Sequence, residues 1–591
     1  MMDVMSSVQL GSAMGGSDEP DPRLEFPKFQ KDELIAFRSK VEANGDLTFD
    51  KVLAGPLGFY LFSSWAARDA PPCAKHAMYF VRDVVKLREA CGAKKISKAD
   101  ADLQSSFVPF NAAKFRKNDK YTGTSMRRKA GAVVDDALYA QHVSTDAAAP
   151  FPIAKVAALV DASAAAQAKY DIADALCCLY VEKACFSTWL ASDSCLEWLR
   201  FMKIQMDLPP RSEWFQPFRT MGRGGFGLVR GCRALTTGQL YAMKEMEMKR
   251  IKLKKGWDLC RNEHWVLTTV DSPFTVGLSY AYKSPTHLVL IMDLMMGGDL
   301  SFQLKSFKTE KQRNMPEAYA AYYLARTILG LEVLHAAGIL YRDLKPENVL
   351  VHDDGRTKLS DMGLATSMRP GLRGMCGTLG YAAPEMFQKK DYGFAVDWWS
   401  LGCLAFCIVD DRSPFRTNQA ATWGGLADTS ECLRRATVEM EPEFPEGMSP
   451  DLRDLCAKLL DKDPSKRLGS CGGANEIKKH CFFKNLDWEK MAAEEYDSSQ
   501  SAEAPPVVPG KSLNIQDQSK IGEFDKLKDA TVVSPADFPE AEWVYISPTA
   551  FQAEVVWLLA FMSTAKGRAK AEDNFAAELE ANKKSAACTI L

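Results

Sequence analysis

The chain changes its hydrophobic rhythm twice. Residues 28–95 carry short apolar clusters near helical spacing, among them Val52, Leu53, Leu57, Phe59, Leu61 and Phe62, punctuated by Gly45, Gly55 and Pro56. Helical spacing returns from Ile153 to Ile204, with Leu176, Leu179, Val181, Trp189, Leu190, Leu196, Trp198 and Leu199 as the candidate core. Between these stretches, residues 95–150 mix Lys, Ala, Asp and Gly with few large apolar side chains, which predicts a long insertion or a ragged loop. At about Phe215 the pattern shortens to alternating and β-branched runs, and from Glu317 onward it becomes helical. That order predicts a small β-rich unit followed by a larger helical one. A polar, proline-bearing stretch (492–540), a short apolar segment (543–562) and a charged tail complete the chain, and no internal repeat is visible. Residues 1–24, rich in Ser, Gly, Asp and Pro, predict a mobile segment.

Composition narrows the class. A chain of 591 residues has room for three or four domains, and 47% hydrophobic with 25% charged residues is ordinary for globular protein. A net charge of −2 argues against a nucleic-acid partner. The 16 cysteines include no CxxC pair and no zinc-site spacing, so they read as small core residues in a reducing compartment. No apolar run reaches membrane-spanning length; the best, Ala550 to Phe561, is short and contains Glu554. The first residues lack a basic flank followed by an apolar run, and Met2 excludes N-myristoylation, so a cytoplasmic protein is expected.

The chemistry-bearing residues cluster in the middle of the chain. Gly222-Arg223-Gly224-Gly225-Phe226-Gly227, followed by Val229, is a glycine-rich loop whose backbone can approach phosphates closely. Tyr241-Ala-Met-Lys244 is a short apolar strand ending in a lysine that would reach the α- and β-phosphates of ATP. Glu263, in a helical stretch, would pair with Lys244 and orient it. Tyr341-Arg-Asp-Leu-Lys-Pro-Glu-Asn348 supplies Asp343 to orient the substrate hydroxyl, Lys345 to lie against the transferring phosphate and Asn348 to bind Mg²⁺. Asp361-Met-Gly363 supplies the carboxylate for the other Mg²⁺, and Ala383-Pro-Glu385 closes an activation segment in which Glu385 would pair with Arg467. A loose phosphoryl-transfer transition state needs charge neutralisation and positioning more than covalent chemistry, which is why two metal ligands, lysines and a carboxylate are required. The alternative is a kinase fold with a dead site, which usually lacks one of these groups; here Lys244, Glu263, Asp343, Asn348 and Asp361 are all present. Tyr341 replaces the usual His and Met362 the usual Phe, both at positions that pack rather than react.

Lys345 two residues after Asp343, with Gly377-Thr-Leu-Gly-Tyr381, is the serine/threonine pattern. Asp293-Leu-Met-Met-Gly-Gly-Asp-Leu300 and Asp397-Trp-Trp-Ser-Leu-Gly402 resemble the AGC group of kinases, and within it the chain resembles the G-protein-coupled receptor kinases, the β-adrenergic receptor kinase branch most of all. Gly45-Asp-Leu-Thr-Phe-Asp-Lys-Val-Leu53 with Leu57-Gly-Phe-Tyr-Leu-Phe62 is similar to the start of that family's RGS-homology domain, and 543–562 stands where its returning helices lie; Ile521-Gly-Glu-Phe-Asp525 matches a tail motif. The resemblance implies an α+β protein: a bilobal protein kinase fold inserted in an all-α RGS-homology helical domain. Its parts would be a mobile N-terminus (1–27), the RGS-homology domain (28–205), the kinase domain (215–483), an AGC-type tail (484–540), the returning helices (541–565) and a charged tail (566–591). It also implies ATP and Mg²⁺ as cofactors, with nucleotide contacts at the glycine-rich loop, Met292, Asp293, Met295 and Asp299.

Many AGC kinases carry a phosphorylated Thr four residues before the position of Thr378, where this chain has Gly374. In the receptor kinases, docking on an activated receptor takes over that role, and an N-terminal helix makes contact; Met1 to Met14 has loosely helical apolar spacing but also Gly11. Cys588-Thr-Ile-Leu591 fits a CaaX box that directs geranylgeranylation, so Cys588 would carry a prenyl group and recruit the chain to the inner membrane surface. Implied partners are activated seven-helix receptors and Gα subunits. Asp299 and Glu347 match acids that select basic substrates in other AGC kinases, whereas Cys407 stands where those kinases have a further acid. Two other readings therefore stand: a kinase for soluble basic-motif substrates, and a Gα-binding adaptor.

Overall fold

A computed structural model describes residues 29–69, 185–416, 429–496, 501–509, 533–534, 537–539 and 542–562. The N-terminal helix, the 95–150 insertion, core candidates Leu176, Leu179 and Val181, the 521–525 motif and Cys588 lie outside them.

The N-terminal part is helical as its spacing predicts: α1 (Lys31–Ala43), α2 (Phe49–Ala54), α3 (Pro56–Asp69), α4 (Ser187–Leu190) and α5 (Asp193–Asp207). Their starts carry local signals. Glu33 accepts the Gln30 backbone N–H at 2.8 Å, and the Ser192 hydroxyl accepts the Cys195 N–H at 3.3 Å ahead of α5. Val52, Leu57, Phe62, Trp189 and Leu199 are buried together between these helices.

The β-rich unit is a sheet of β1 (Phe215–Arg223), β2 (Gly227–Ala234), β3 (Leu240–Glu247), β4 (Leu278–Lys283) and β5 (His287–Met292). After β3 come α6 (Met248–Leu253) and α7 (Trp257–Thr269). The larger unit contains α8 (Leu300–Lys311), α9 (Glu317–Ala336), β6 (Ile339–Leu340), β7 (Val349–Val351), β8 (Thr357–Leu359), β9 (Thr366–Ser367), α10 (Pro384–Phe387), α11 (Ala395–Asp410), α12 (Thr429–Glu439) and α13 (Pro450–Leu459). The chain then returns as β10 (Tyr545–Ile546) and a last long helix, Pro548–Met562. Strand order is β1-β2-β3-β5-β4-β10, so the returning segment adds the edge strand beside β4. Capping an edge with a short strand removes a template for unwanted pairing.

Strands β3, β4 and β5 carry apolar residues on both faces, and in β4 a register shift between Leu278 and Tyr280 breaks the period of two and sends those residues to opposite sides. Tyr241, Met243, Tyr280, Tyr282, Val289 and Ile291 face the helical layer. Met246, Leu278, Leu288 and Leu290 join α7 and the large lobe instead. The Pro548–Met562 helix packs into the first layer through Phe551, Val555 and Val556. It also buries Glu554 at 3% exposure. That carboxylate accepts Thr237 Oγ1 at 2.6 Å, Tyr280 Oη at 2.7 Å and the Tyr241 hydroxyl. The desolvation of a buried charge is thus met by three hydroxyl donors from the sheet and the turn beside it.

Candidate active site

The cleft lies between the sheet and the large lobe. Strand β3 presents Lys244 on the face opposite Tyr241 and Met243, towards α7. Its Nζ reaches Glu263 Oε1 at 2.6 Å and Oε2 at 2.7 Å. Burial works against the lysine charge, but Glu263 and then Asp361 reverse that and hold the ammonium above the usual lysine range. The pair expected from sequence is therefore formed.

α7 is itself fixed from behind. Trp543 is fully buried, stacks on His264 with ring centroids 4.7 Å apart and lies 6.0 Å from Trp257. Its indole N–H donates to the Val289 carbonyl at 3.3 Å. His264 is the residue next to Glu263, and burial lowers its pKa. The returning segment thus braces the helix that carries Glu263.

In the glycine-rich loop, the four glycines divide by cause. A Cβ on Gly227 would lie 1.7 Å from the Glu245 carbonyl oxygen, so the sheet requires that glycine. Gly222 and Gly225 have nothing within 4 Å of such an atom, and Gly224 only the Gly227 oxygen at 3.7 Å. The protein itself leaves those three positions open, as a cradle for phosphate would require. Phe226 packs on the start of α7, where a Cβ on Gly256 would meet its ring at 2.2 Å. Lys254 Nζ donates to the Gly225 carbonyl at 2.8 Å. Val229 stands opposite Lys244 in the β2–β3 register.

On the opposite wall Asp343 is 6% exposed and surrounded by donors. Its Oδ2 accepts Lys345 Nζ at 2.7 Å and Asn348 Nδ2 at 3.0 Å, and its Oδ1 accepts Thr378 Oγ1 at 2.8 Å. Lys345 also reaches Thr378 Oγ1 at 2.9 Å. Asn348 gives its amide nitrogen to Asp343, side chain and backbone, which turns its Oδ1 the other way. Asp361 holds a left-handed φ of 54° and is exposed. A strained backbone at a site residue is a cost the surrounding structure must offset. An outward asparagine oxygen, an exposed carboxylate and the open loop are a donor set suited to a hard divalent cation and its phosphates.

The substitutions noted in sequence pack as expected. Tyr341 is fully buried with its hydroxyl donating to the Ser360 carbonyl at 2.5 Å, and Met362 is 1% exposed in the core it shares with α7. Asp397, also fully buried, accepts the backbone N–H groups of Tyr341 at 3.0 Å and Arg342 at 2.8 Å, which holds the catalytic loop in place. Gly377 has φ +86°, and a Cβ there would meet the Arg342 carbonyl oxygen at 2.2 Å, so only glycine fits beside Asp343. Arg467 and Glu385 form the expected buried bridge, bidentate at 2.7 and 3.0 Å.

The segment joining the lobes departs in detail from a simple set of ligands. The Asp293 carboxylate is turned to the Gly277 N–H at 2.9 Å and Lys358 Nζ at 2.6 Å, and its own N–H donates to the Gly277 carbonyl at 3.1 Å, so neither its side chain nor its N–H is open to a nucleotide. Met292 ends β5, half-buried, and Met295 is 5% exposed. Asp293 and Met295 also line a cavity of about 390 Å³ bounded by Tyr241, Glu494 and Ala550. Asp299 caps α8 by accepting the Phe302 N–H at 2.8 Å. Burial, and to a lesser degree the nearby Glu347, raises its pKa. Thr378 and Asp397 were not singled out for roles by sequence reading, since each acts through partners far away in the chain.

The protein kinase domain family matches residues 215–483. The chain is 37% identical over 361 residues to beta-adrenergic receptor kinase 1 of Homo sapiens, covering 59% of this chain and 50% of that one. It is 38% identical over 363 residues to beta-adrenergic receptor kinase 1 of Mus musculus, with the same coverage. It is 36% identical over 359 residues to rhodopsin kinase GRK1 of Homo sapiens, covering 59% and 60%. The chain spans about half the length of the curated relatives it matches. Residues 215–483 are thus a protein kinase domain, similar to those of beta-adrenergic receptor kinase 1 and rhodopsin kinase GRK1.

Proposed function

We propose that the chain transfers the γ-phosphoryl group of ATP to serine or threonine hydroxyls of activated seven-helix receptors and so desensitises their signalling. The observation that carries the phosphoryl-transfer part is the convergence of Lys244–Glu263, Asp343 with Lys345 and Thr378, and Asn348 with Asp361 on one cleft. Magnesium held by Asn348 and Asp361 would neutralise charge on the phosphates. Lys244, kept ionised and oriented by Glu263, binds the α- and β-phosphates. Asp343 accepts the hydrogen bond of the attacking hydroxyl and orients its lone pair in line with the phosphorus. Lys345 lies against the transferring group. The receptor as substrate is supported by the similarity to proteins named beta-adrenergic receptor kinase and rhodopsin kinase.

The helical layer around α1 to α5 is assigned to an RGS-homology domain that braces the kinase and offers a face to Gα, and Cys588 to a prenyl anchor at the inner membrane surface. A second reading, a soluble substrate with basic residues before the acceptor, draws on the closeness of Glu347 to Asp299.

The test is Mg-ATP labelling of a seven-helix receptor in membranes, with and without agonist, beside a soluble basic peptide. Agonist-dependent receptor labelling supports the proposal. Peptide labelling without an agonist effect leaves the kinase and removes the receptor. An Asp343→Asn chain that retains full cellular function would discard both in favour of a Gα-binding adaptor.

A further inference from the structure

The stretch Met368 to Gly377 contains no Ser, Thr or Tyr, so no phosphate can be attached there to order it. Such segments are commonly held by an arginine that pairs with a phosphorylated side chain. Here the arginine exists and is already engaged. Arg342, next to Asp343, has a left-handed φ of 70° and is anchored through its backbone N–H to buried Asp397. Its guanidinium donates through Nε to the Leu364 carbonyl at 2.8 Å and through Nη1 to the Tyr392 hydroxyl at 3.2 Å.

Tyr392 is 8% exposed and sits in the core formed by Leu372, Phe387, Val396 and Trp399. Its own backbone N–H donates to the Leu372 carbonyl at 3.0 Å. One residue thus holds the middle of the segment by its main chain and the catalytic-loop arginine by its hydroxyl. Cys376, at the far end of the stretch, lies close enough for Arg342 and Asp343 to act on its thiol.

We infer that Tyr392 is a positioning residue whose hydroxyl, through Arg342, does for this activation segment what a covalent phosphate does elsewhere. The inference rests on the kinase reading above and concerns its regulation. The stretch 368–377 is held by a neutral acceptor that is always present, so its order needs no phosphate on that stretch. The contact is a neutral-acceptor hydrogen bond at 3.2 Å, weaker than an arginine–phosphate fork. It holds the segment against the catalytic loop without locking it there.

The experiment compares the full chain with Tyr392→Phe, Arg342→Met and the double variant. Tyr392→Phe keeps the buried ring and removes only the oxygen. Turnover is measured with Mg-ATP and dephosphorylated casein as a generic acceptor. Hydrogen–deuterium exchange is followed across 368–377 and, as a reference, across β2 and β3. Tyr392→Phe should lower kcat about five- to tenfold with KM for ATP within twofold, and speed exchange in 368–377 alone. The double variant should be no worse than Arg342→Met. Unchanged exchange at 368–377, or losses that multiply in the double variant, would overturn the inference. If the unaltered chain does not phosphorylate casein or any other acceptor, the kinase reading has failed on its own, and exchange alone decides the role of Tyr392.

Discussion

Glu554 is buried against Tyr280, whose hydroxyl donates to it at 2.7 Å, so a helix from the end of the described chain is wired into the middle of the kinase sheet. Thr237 and Tyr241 also donate to it. Replacing Glu554 by Ala strands three buried hydroxyls and should cost about 2–4 kcal/mol. Glu554→Gln keeps an acceptor and should cost less than half of that. Thermal or denaturant unfolding of the two variants checks the order; equal losses would mean that side-chain volume, not hydrogen bonding, fixes the interface.

Arg467 and Glu385 are a dry, bidentate pair, 0% and 2% exposed. Arg467→Met leaves a buried carboxylate without its partner and should destabilise the large lobe by about 3–5 kcal/mol. Adding Glu385→Gln removes the stranded charge and should recover part of the loss. The denaturation midpoints of the single and double variants give this directly.

Trp543 packs on His264 and Trp257 and so supports Glu263 from behind. Trp543→Leu keeps an apolar filling while removing the ring stack and the bond to Val289. The expected outcome is a stability loss of about 2–4 kcal/mol together with a fall in kcat. The same fall should not appear in a variant of equal stability cost placed at Glu385–Arg467. Steady-state kinetics well below both melting temperatures separates the two effects.

His352 stands between Asp353 at 2.7 Å and Asp354 at 3.0 Å. Burial opposes its charge, but these carboxylates overcome it and raise its pKa from 6.5 to about 9. A histidine raised on folding contributes fully below its unfolded pKa, and its contribution is lost as pH rises through the folded one. Stability should therefore fall between about pH 6.5 and pH 9. With the ring 28% exposed, the change is on the order of 1–2 kcal/mol. His352→Gln should flatten that limb of the pH profile and also weaken the acid limb, because the same imidazolium helps to hold Asp354 below the usual carboxylate range.

The groups proposed for catalysis are legible in sequence because phosphoryl transfer ties them to short local motifs. Lys244, Glu263, Asp343, Asn348 and Asp361 meet in the cleft as their motifs imply. The strand ending at Lys244 shows in sequence as a short apolar run, and in the structure both faces of β3 and β5 are covered. Helix α8 was not anticipated, since the acid that starts it, Asp299, was read for recognition and not as a cap. The carboxylate of Asp293 turns away to Lys358, a partner across the fold that no local pattern announces. Thr378, Asp397 and Tyr392 escaped for the same reason: a hydroxyl or carboxylate acquires its role only when a remote partner arrives.

The edge strand Tyr545–Ile546 has a consequence for how the protein is made. Trp543 meets Val289 across 254 residues of chain. While the chain is still emerging from the ribosome, β4 has no neighbour on its outer side, and α7 has nothing behind it. The large lobe, whose contacts are nearer in sequence, is free to settle first, because distant pairings form late. The nascent protein therefore passes through a stage with all the side chains of the candidate site synthesised and Glu263 not yet braced. Glu263 gains its support only when the segment around Trp543 docks, so a chain cut before residue 543 would carry α7 without that brace.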